Sequence, residues 1–374
     1  MRLLYVTDAL AIYGGLERIL IDKVNRFSEE FGYEVFLITV NQGKHPVVYS
    51  INSQVSYLDI GIQFHQIFNF KGVWKVFKMI QLRWRYKQRI KAIIEEIAPD
   101  IIICPRIELT GAIVKVKGKI PLVYEVHTFW REPRQVTVRN LSCMLLYGRI
   151  DLTAIQKIIT LTEKDAAEWR KIAPEVLAIP NIVNINKTDR YSDCCSKTVI
   201  FVGRLAKQKD IGSLLGIWEI VHQVYPDWAL HIFAGYGNEE NIWRPIIEQM
   251  NANISVCPPT PNIIEEYLKS SILVLTSVIE PFGLVLPEAM SCGIPVVAFD
   301  CPYGPSDIIT DGEDGFLIPN RDIQLFADKV CLLMDNPDLR QRMGKMGIVS
   351  SRRYEAKVIV PLWKELFEQL TNKE

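Results

Sequence analysis

Short apolar runs that stop at a polar or glycine-bearing turn alternate along the chain with longer stretches in which apolar positions recur every three or four residues. The runs at 2–7, 34–40, 55–60, 100–104, 122–126 and 157–162 predict one set of strands, and those at 198–202, 230–234, 272–276, 295–299 and 315–318 predict a second. Most are separated by stretches of helical spacing. Strands alternating with helices imply α/β architecture, with largely parallel sheets covered on both faces. Between the two sets, from 178 to about 197, composition turns polar (INKTDRYSDCCSK) and periodicity lapses. This predicts a first domain over 1–180, a linker over 181–197 and a second domain over 198–354, followed by a closing helix within 355–374.

Composition changes this picture little. With 374 residues the chain can bury two cores, and 49% apolar against 23% charged residues marks a soluble globular protein. The 43 basic and 43 acidic residues cancel, which argues against a dedicated nucleic-acid binder. Eight cysteines are scattered without zinc-like C-x-x-C pairing and read as buried free thiols of a reducing compartment. The first apolar run meets Asp8 too soon for a secretory signal, and no run reaches the length of a membrane span. The expected location is cytoplasmic.

Candidate chemistry concentrates in residues 275–300, LTSVIEPFGLVLPEAMSCGIPVVAFD. If 283–292 is a helix, Glu280 lies in the loop before it and Glu288 more than a turn inside, so both can reach one ligand. Amides near Phe282, Gly283 and Leu284, at a helix start, favour an anion. Carboxylates repel a phosphate unless they face hydroxyls, so the ligand that satisfies both is a phosphate-bearing sugar, a nucleotide sugar. Earlier in that domain, Gly203-Arg204-Leu205-Ala206-Lys207-Gln208-Lys209 follows a strand directly. Arg204 and Lys209 would form a cationic pocket for a diphosphate, stabilising the leaving group without a metal. No Asp-x-Asp stands where a metal-dependent transferase needs one.

In the first domain Gly14 and Gly15 separate a strand from a helix; they form either a tight turn or a close approach to a ligand, and the G-x-G-x-x-G spacing is not met. His127 follows the strand 122–126, where open α/β sheets place ligands, although a lone histidine is more often structural. Residues 71–94, KGVWKVFKMIQLRWRYKQRIKAII, carry eight Lys/Arg and no acid. On a helical wheel Val73, Phe77, Ile80 and Trp84 cluster opposite Lys71, Lys75, Lys78, Arg85 and Arg89. Two readings follow: an anionic membrane surface bound through residues 71–91, or an amphipathic helix whose apolar side faces the core.

The sequence EPFGLVLPE with AMSCGIPVVAFD, the FVGRL stretch with Lys207 and Lys209, the Gly14-Gly15 turn and His127 together resemble, in order, the retaining glycosyltransferases of family four. The resemblance implies the GT-B fold: two Rossmann-like domains whose parallel sheets face across a cleft, with the terminal helix returning to the first. It further implies transfer of a hexose-type sugar from a nucleoside diphosphate, UDP by frequency, to a glycan or lipid-linked glycan acceptor in cell-surface polysaccharide synthesis, at the inner face of the membrane. By the same resemblance Glu288 takes the ribose hydroxyls, Glu280 and His127 the donor sugar, Arg204 and Lys209 the diphosphate, and the amides at 282–284 the distal phosphate. Gly14 and Gly15 face the donor phosphates or the acceptor. Asn181 matches a hinge element, though a simple turn looks the same. Arg131, Glu132 and Arg134 are weaker acceptor candidates, and Asp307 departs from the glutamate common in relatives. No cofactor or metal is implied. A nucleotide-sugar 2-epimerase and a non-catalytic nucleotide-sugar-binding scaffold share this architecture.

Overall fold

The computed structural model describes residues 1–12, 14–127, 150–183, 190–235 and 237–372. They form two units, Met1–Ile182 with Ile359–Glu374, and Val183–Val358. The predicted linker thus begins within the first unit and continues into the second.

In the first unit, β1 (Arg2–Thr7), β2 (Glu34–Thr39), β3 (Ser56–Asp59), β4 (Ile101–Cys104), β5 (Leu122–Glu125), β6 (Lys157–Thr160) and β7 (Val176–Ala178) make one parallel sheet in the order β3-β2-β1-β4-β5-β6-β7. The second holds β8 (Thr198–Arg204), β9 (Ala229–Gly235), β10 (Ile254–Cys257), β11 (Ile272–Leu275), β12 (Val296–Phe299) and β13 (Gly315–Ile318), in the order β10-β9-β8-β11-β12-β13. Every residue of β4, β11 and β12 is buried, which is why these strands read as unbroken apolar runs rather than alternating ones. Each sheet reverses its strand order once, at β1/β4 and at β8/β11. A crevice outside the carboxyl ends at such a point is where doubly wound sheets bind ligands.

Three expectations are corrected. β7 is absent from the predicted strands, because a three-residue edge strand leaves no periodic signal. The helix expected over 283–292 is Val285–Ser291, so Glu288 stands in its first turn rather than deeper; Gly283, at φ +94°, lies outside it in a conformation that only glycine adopts without strain. Among the seven described cysteines, all unpaired, Cys195 is exposed and Cys257 and Cys331 are half-buried rather than buried.

The helix Gly72–Ile97 buries Met79, Leu82, Tyr86, Ile90, Ile93 and Ile94, and leaves Val73, Phe77, Ile80 and Trp84 exposed. The stripe picked out by sequence is therefore not the one that meets the core. No described helix is long and apolar enough to cross a membrane.

The last helix, Ala356–Thr371, packs within the first unit through Trp363 and Phe367; the Phe367 ring meets Phe27 edge-on at 5.3 Å. In the second unit Trp218, Phe201, Phe299 and Phe326 anchor the core. Arg340 is buried there, donating to the carbonyls of Cys194 (3.0 Å), Leu333 and Met334 (2.8 Å), with its guanidinium 5.4 Å from the Trp228 ring. It satisfies the last carbonyls of the helix Ile323–Asp335, which otherwise face apolar surroundings. Arg340→Met is expected to lower unfolding stability by roughly 2–4 kcal/mol in a denaturant titration, since buried carbonyls lose their donors. A change below about 0.5 kcal/mol would show that water replaces the guanidinium.

Candidate active site

The second unit assembles most of the predicted residues at the β8/β11 reversal. β8 ends at Arg204, which is exposed; the chain then makes a single helical turn at Lys207–Lys209 before the helix Ile211–Val224. The loop after β11 is tied to this turn. Val278 N–H donates to the Gln208 carbonyl (2.9 Å), Gln208 Nε2 to the Ile279 carbonyl (3.0 Å) and Thr276 Oγ1 to the Lys209 carbonyl (2.9 Å). These bonds hold Lys209 Nζ 2.5 Å from Glu280 Oε2, which also accepts from Ser277 Oγ at 3.0 Å.

Glu280 itself is fixed through its backbone. Its N–H donates to the Pro302 carbonyl (2.7 Å), and its carbonyl accepts from the Tyr303 (3.0 Å) and Gly304 (2.8 Å) amides. The Lys209 and Glu280 side chains are only 14% and 11% exposed, a shielding that strengthens their attraction and keeps both at the edge of water. The charge of the carboxylate is thus balanced within the protein.

Glu288 is buried, and Tyr267 OH donates to its Oε2 at 3.3 Å. Phe282 packs edge-on against Tyr354 with ring centroids 5.3 Å apart, so its side chain is a structural anchor for the turn that carries Gly283 and Leu284. Arg204, Lys207, Gln208, Gly237 and Asn238 line an open recess. A Cβ on Gly237 would stand 2.1 Å from the Leu205 carbonyl oxygen, so only glycine lets the β9 turn come this close. The Asp307 carbonyl accepts from Arg353 Nη2 and Tyr354 OH, each at 3.2 Å, which gives the segment a bracing contact.

The first unit builds a second polar centre at the carboxyl end of β5. The Lys23 ammonium, from the helix Gly15–Phe31, pairs with Glu125 Oε2 at the end of β5; Tyr5 OH on β1 donates to Glu125 Oε1 at 3.1 Å. His127 Nε2 lies 3.1 Å from the same Oε2, and Lys23 Nζ sits 4.2 Å from the centre of the Trp363 ring. The Lys23, Glu125 and His127 side chains are 4%, 3% and 6% exposed. Burial would raise the Glu125 pKa, but Lys23 and the His127 hydrogen bond outweigh it and hold the carboxyl down at about 2. Burial lowers the His127 pKa, with Glu125 offsetting only part, and burial also lowers that of Lys23. The imidazole is therefore neutral at pH 7. A carboxylate accepts from Nε2–H, which leaves Nδ1 as an acceptor.

Gly14 precedes the helix Gly15–Phe31, and a Cβ there would stand 2.2 Å from Glu17 Oε2. A carboxylate therefore already lies against this helix start, which bears on the expectation of phosphates at Gly14 and Gly15. Asn181 is buried and borders a small void with Lys23, Glu125 and Trp363. Arg131, Glu132 and Arg134 lie outside the described residues. Sequence reading missed Tyr5 and Lys23 and passed over Glu125. For Lys23 there was a signal: it stands four residues from both Ile19 and Phe27, inside the buried stripe of its helix.

Two doubly wound parallel sheets, each with polar groups gathered beyond its strand ends, define the GT-B class of glycosyltransferase folds. The family model described as Glycosyltransferase Family 4 matches residues 13–187, and that described as Glycosyl transferases group 1 matches residues 191–349. The chain belongs to this glycosyltransferase family. An uncharacterised glycosyltransferase of Haemophilus influenzae is 26% identical, over 94% of this chain and 95% of its own. The amylovoran biosynthesis glycosyltransferase AmsD of Erwinia amylovora is 25% identical, over 98% and 99%. A crystal structure of a Staphylococcus aureus TarM mutant with fondaparinux, alpha-GlcNAc-glycerol and UDP superposes with a TM-score of 0.77 at 17% identity, covering 98% of this chain and 99% of that one.

Proposed function

We propose that this protein is a retaining glycosyltransferase, moving a hexose-type sugar from UDP to a glycan or lipid-linked glycan in cell-surface polysaccharide synthesis. The observation that carries the reading is the Lys209–Glu280–Ser277 cluster at the strand-order reversal of the second sheet. A nucleotide sugar needs cations for its diphosphate and acceptors for its hydroxyls in one place, and this cluster supplies both. Support for the base and the pathway comes from relatives: TarM was crystallised with UDP, and AmsD is named for amylovoran biosynthesis.

In this reading Arg204 and Lys209 bind the diphosphate, Glu280 accepts from sugar hydroxyls and Glu288 from ribose. As the bond from the anomeric carbon to the phosphate oxygen breaks, the cations stabilise the charge that develops on the leaving group. The acceptor oxygen bonds to the anomeric carbon on the face that the phosphate leaves, and its proton passes to a phosphate oxygen. Neutral His127 offers Nδ1 to a sugar hydroxyl, a role that an imidazolium could not fill. Glu17 beside Gly14 favours a hydroxyl ligand there over a phosphate. Metal independence is part of the proposal, resting on Arg204 and Lys209 as the cations.

The test is thermal stability against a panel of nucleoside diphosphates and nucleotide sugars, for wild type and Glu288→Ala, followed by turnover with and without acceptor. UDP is expected to stabilise the wild type by about 2.7 kcal/mol at a hundredfold excess over Kd, and the substitution to abolish the shift. Donor consumption only with acceptor, giving a product of unchanged anomeric configuration, is the outcome expected of retaining transfer. Consumption without acceptor would point to epimerisation or hydrolysis, and no shift with any nucleotide would sink the donor site.

A further inference from the structure

At the carboxyl end of the first sheet stands an arginine whose side chain has no acceptor among the described residues. β4 runs directly into Pro105 and Arg106, beside the β1/β4 strand-order reversal. Cys104 is paired with Tyr124 of β5, so Arg106 leaves the sheet level with Val126, one residue short of His127. Its backbone is fixed, since the Arg106 carbonyl accepts from Cys104 Sγ and from the Leu109 N–H, each at 3.1 Å. The side chain is half-buried, yet no described residue forms a hydrogen bond or ion pair with the guanidinium, and Nε is shut off from water. Arg2, Arg26 and Arg340 are also drawn in from solvent, and each donates to a carbonyl or a carboxylate.

A buried N–H without an acceptor is rare, because it forfeits the hydrogen bond that water would have made. The carboxylates that end the flanking strands are already committed: Glu125 to Lys23, Tyr5 and His127, and Asp8 to Asn41. Burial is the main cause that lowers the His127 pKa, and the charge of Arg106 adds to it, so the two side chains are within electrostatic reach. Their demands differ. A sugar hydroxyl can serve the imidazole, whereas a guanidinium offers donors only, in a planar fork that matches two oxygens of one phosphate or carboxylate. The donor diphosphate is assigned to Arg204 and Lys209 in the second unit, so an anion at Arg106 belongs to the other substrate.

We propose that Arg106 binds an oxyanion of the acceptor, so that the glycan or lipid-linked glycan that receives the sugar is acidic, bearing a phosphate or a carboxylate. The word acceptor rests on the transfer reading above; the anion site at Arg106 does not.

Ligand-observed NMR titrations of the full chain test it, with methyl phosphate, methyl glucuronide and the neutral methyl glucoside as probes. At least one anionic probe is expected to bind ~10-fold or more tighter than the glucoside, and the preferred one tells phosphate from carboxylate. Arg106→Gln is expected to weaken that binding about 10- to 100-fold, the loss of charge-assisted hydrogen bonds, and Arg106→Lys by less, since it keeps the charge without the fork. Arg204→Gln serves as the control for the donor site and is expected to leave the anion bound at Arg106. Thermal unfolding of Arg106→Gln should match or exceed that of the wild type, because the side chain gives up no partner. No binding of either anion, equal binding of the glucoside, or binding that Arg204→Gln removes and Arg106→Gln leaves intact overturns the proposal. So does a fall of more than ~5 °C in the unfolding temperature of Arg106→Gln, which would make the residue structural. Failure of UDP to bind the wild type would overturn the donor assignment alone.

Discussion

Lys209→Met is expected to lower kcat/KM on the order of 1,000-fold, with donor binding weakened as well. Lys209 serves twice in the proposed chemistry: it stabilises the departing diphosphate, and it neutralises Glu280, 2.5 Å away, before the donor arrives. Loss of one preorganised donor to a developing anion costs about 100- to 1,000-fold. The uncovered Glu280 carboxylate, left with Ser277 as its hydrogen-bond donor at 3.0 Å, would then repel the incoming phosphate as well. Steady-state kinetics at varied donor concentration reads both effects. Activity within about threefold of wild type would remove Lys209 from the leaving-group site and assign the pair to structure.

Lys23→Met is expected to destabilise the fold by roughly 3–5 kcal/mol at neutral pH, because it strands the buried Glu125 carboxylate without its cation. The pH dependence follows from the direction of the shift. In the wild type Glu125 is held down at about 2, against an ordinary value of 4.5. Its contribution to stability is complete above the ordinary value and is lost as pH falls through 4.5 toward 2. Without Lys23 the desolvation cost prevails, the carboxyl takes up a proton at higher pH, and the acid transition moves upward. Denaturant titrations across that range measure it. The double variant Lys23→Met/Glu125→Gln removes both charges and is expected to recover much of the lost stability, whereas the single variant is not. Equal stability of the single and double variants would show that Lys23 acts by packing on Trp363 rather than by charge.

The same network shows where sequence reading stops. His127 was picked out because it follows a predicted strand, and the structure does place it just beyond β5. What orients it, Glu125 with Tyr5 and Lys23, comes from β5, β1 and a helix more than a hundred residues away in sequence. No local pattern announces such a partnership, although a lysine on an apolar stripe hints at one. The Lys209–Glu280 pair repeats the lesson. Each residue was nominated separately, for phosphate and for sugar, and their direct contact became visible only once the loops after β8 and β11 were brought together.

The helix Gly72–Ile97 is the sharpest case. Its period was legible, and so were its basic residues, but two stripes could serve as the core face. The denser one in the first half, Val73 to Trp84, proved to be the exposed one. Helical spacing records the backbone conformation of a segment; it does not record which neighbour arrives to cover which side.

The sequence by itself determined the alternation of strand and helix, the division into two parallel α/β units, and the residue types from which the proposed nucleotide-sugar site is built. These follow from local periodicity and from motif spacing, which act within one or two elements. Tertiary structure alone decided that Glu125 and Lys23 form a buried ion pair around His127, that Lys209 neutralises Glu280, and that an apolar stripe of the basic helix stays in water. Each of these depends on strand order and on contacts between distant segments, and so on packing that no single stretch of chain encodes.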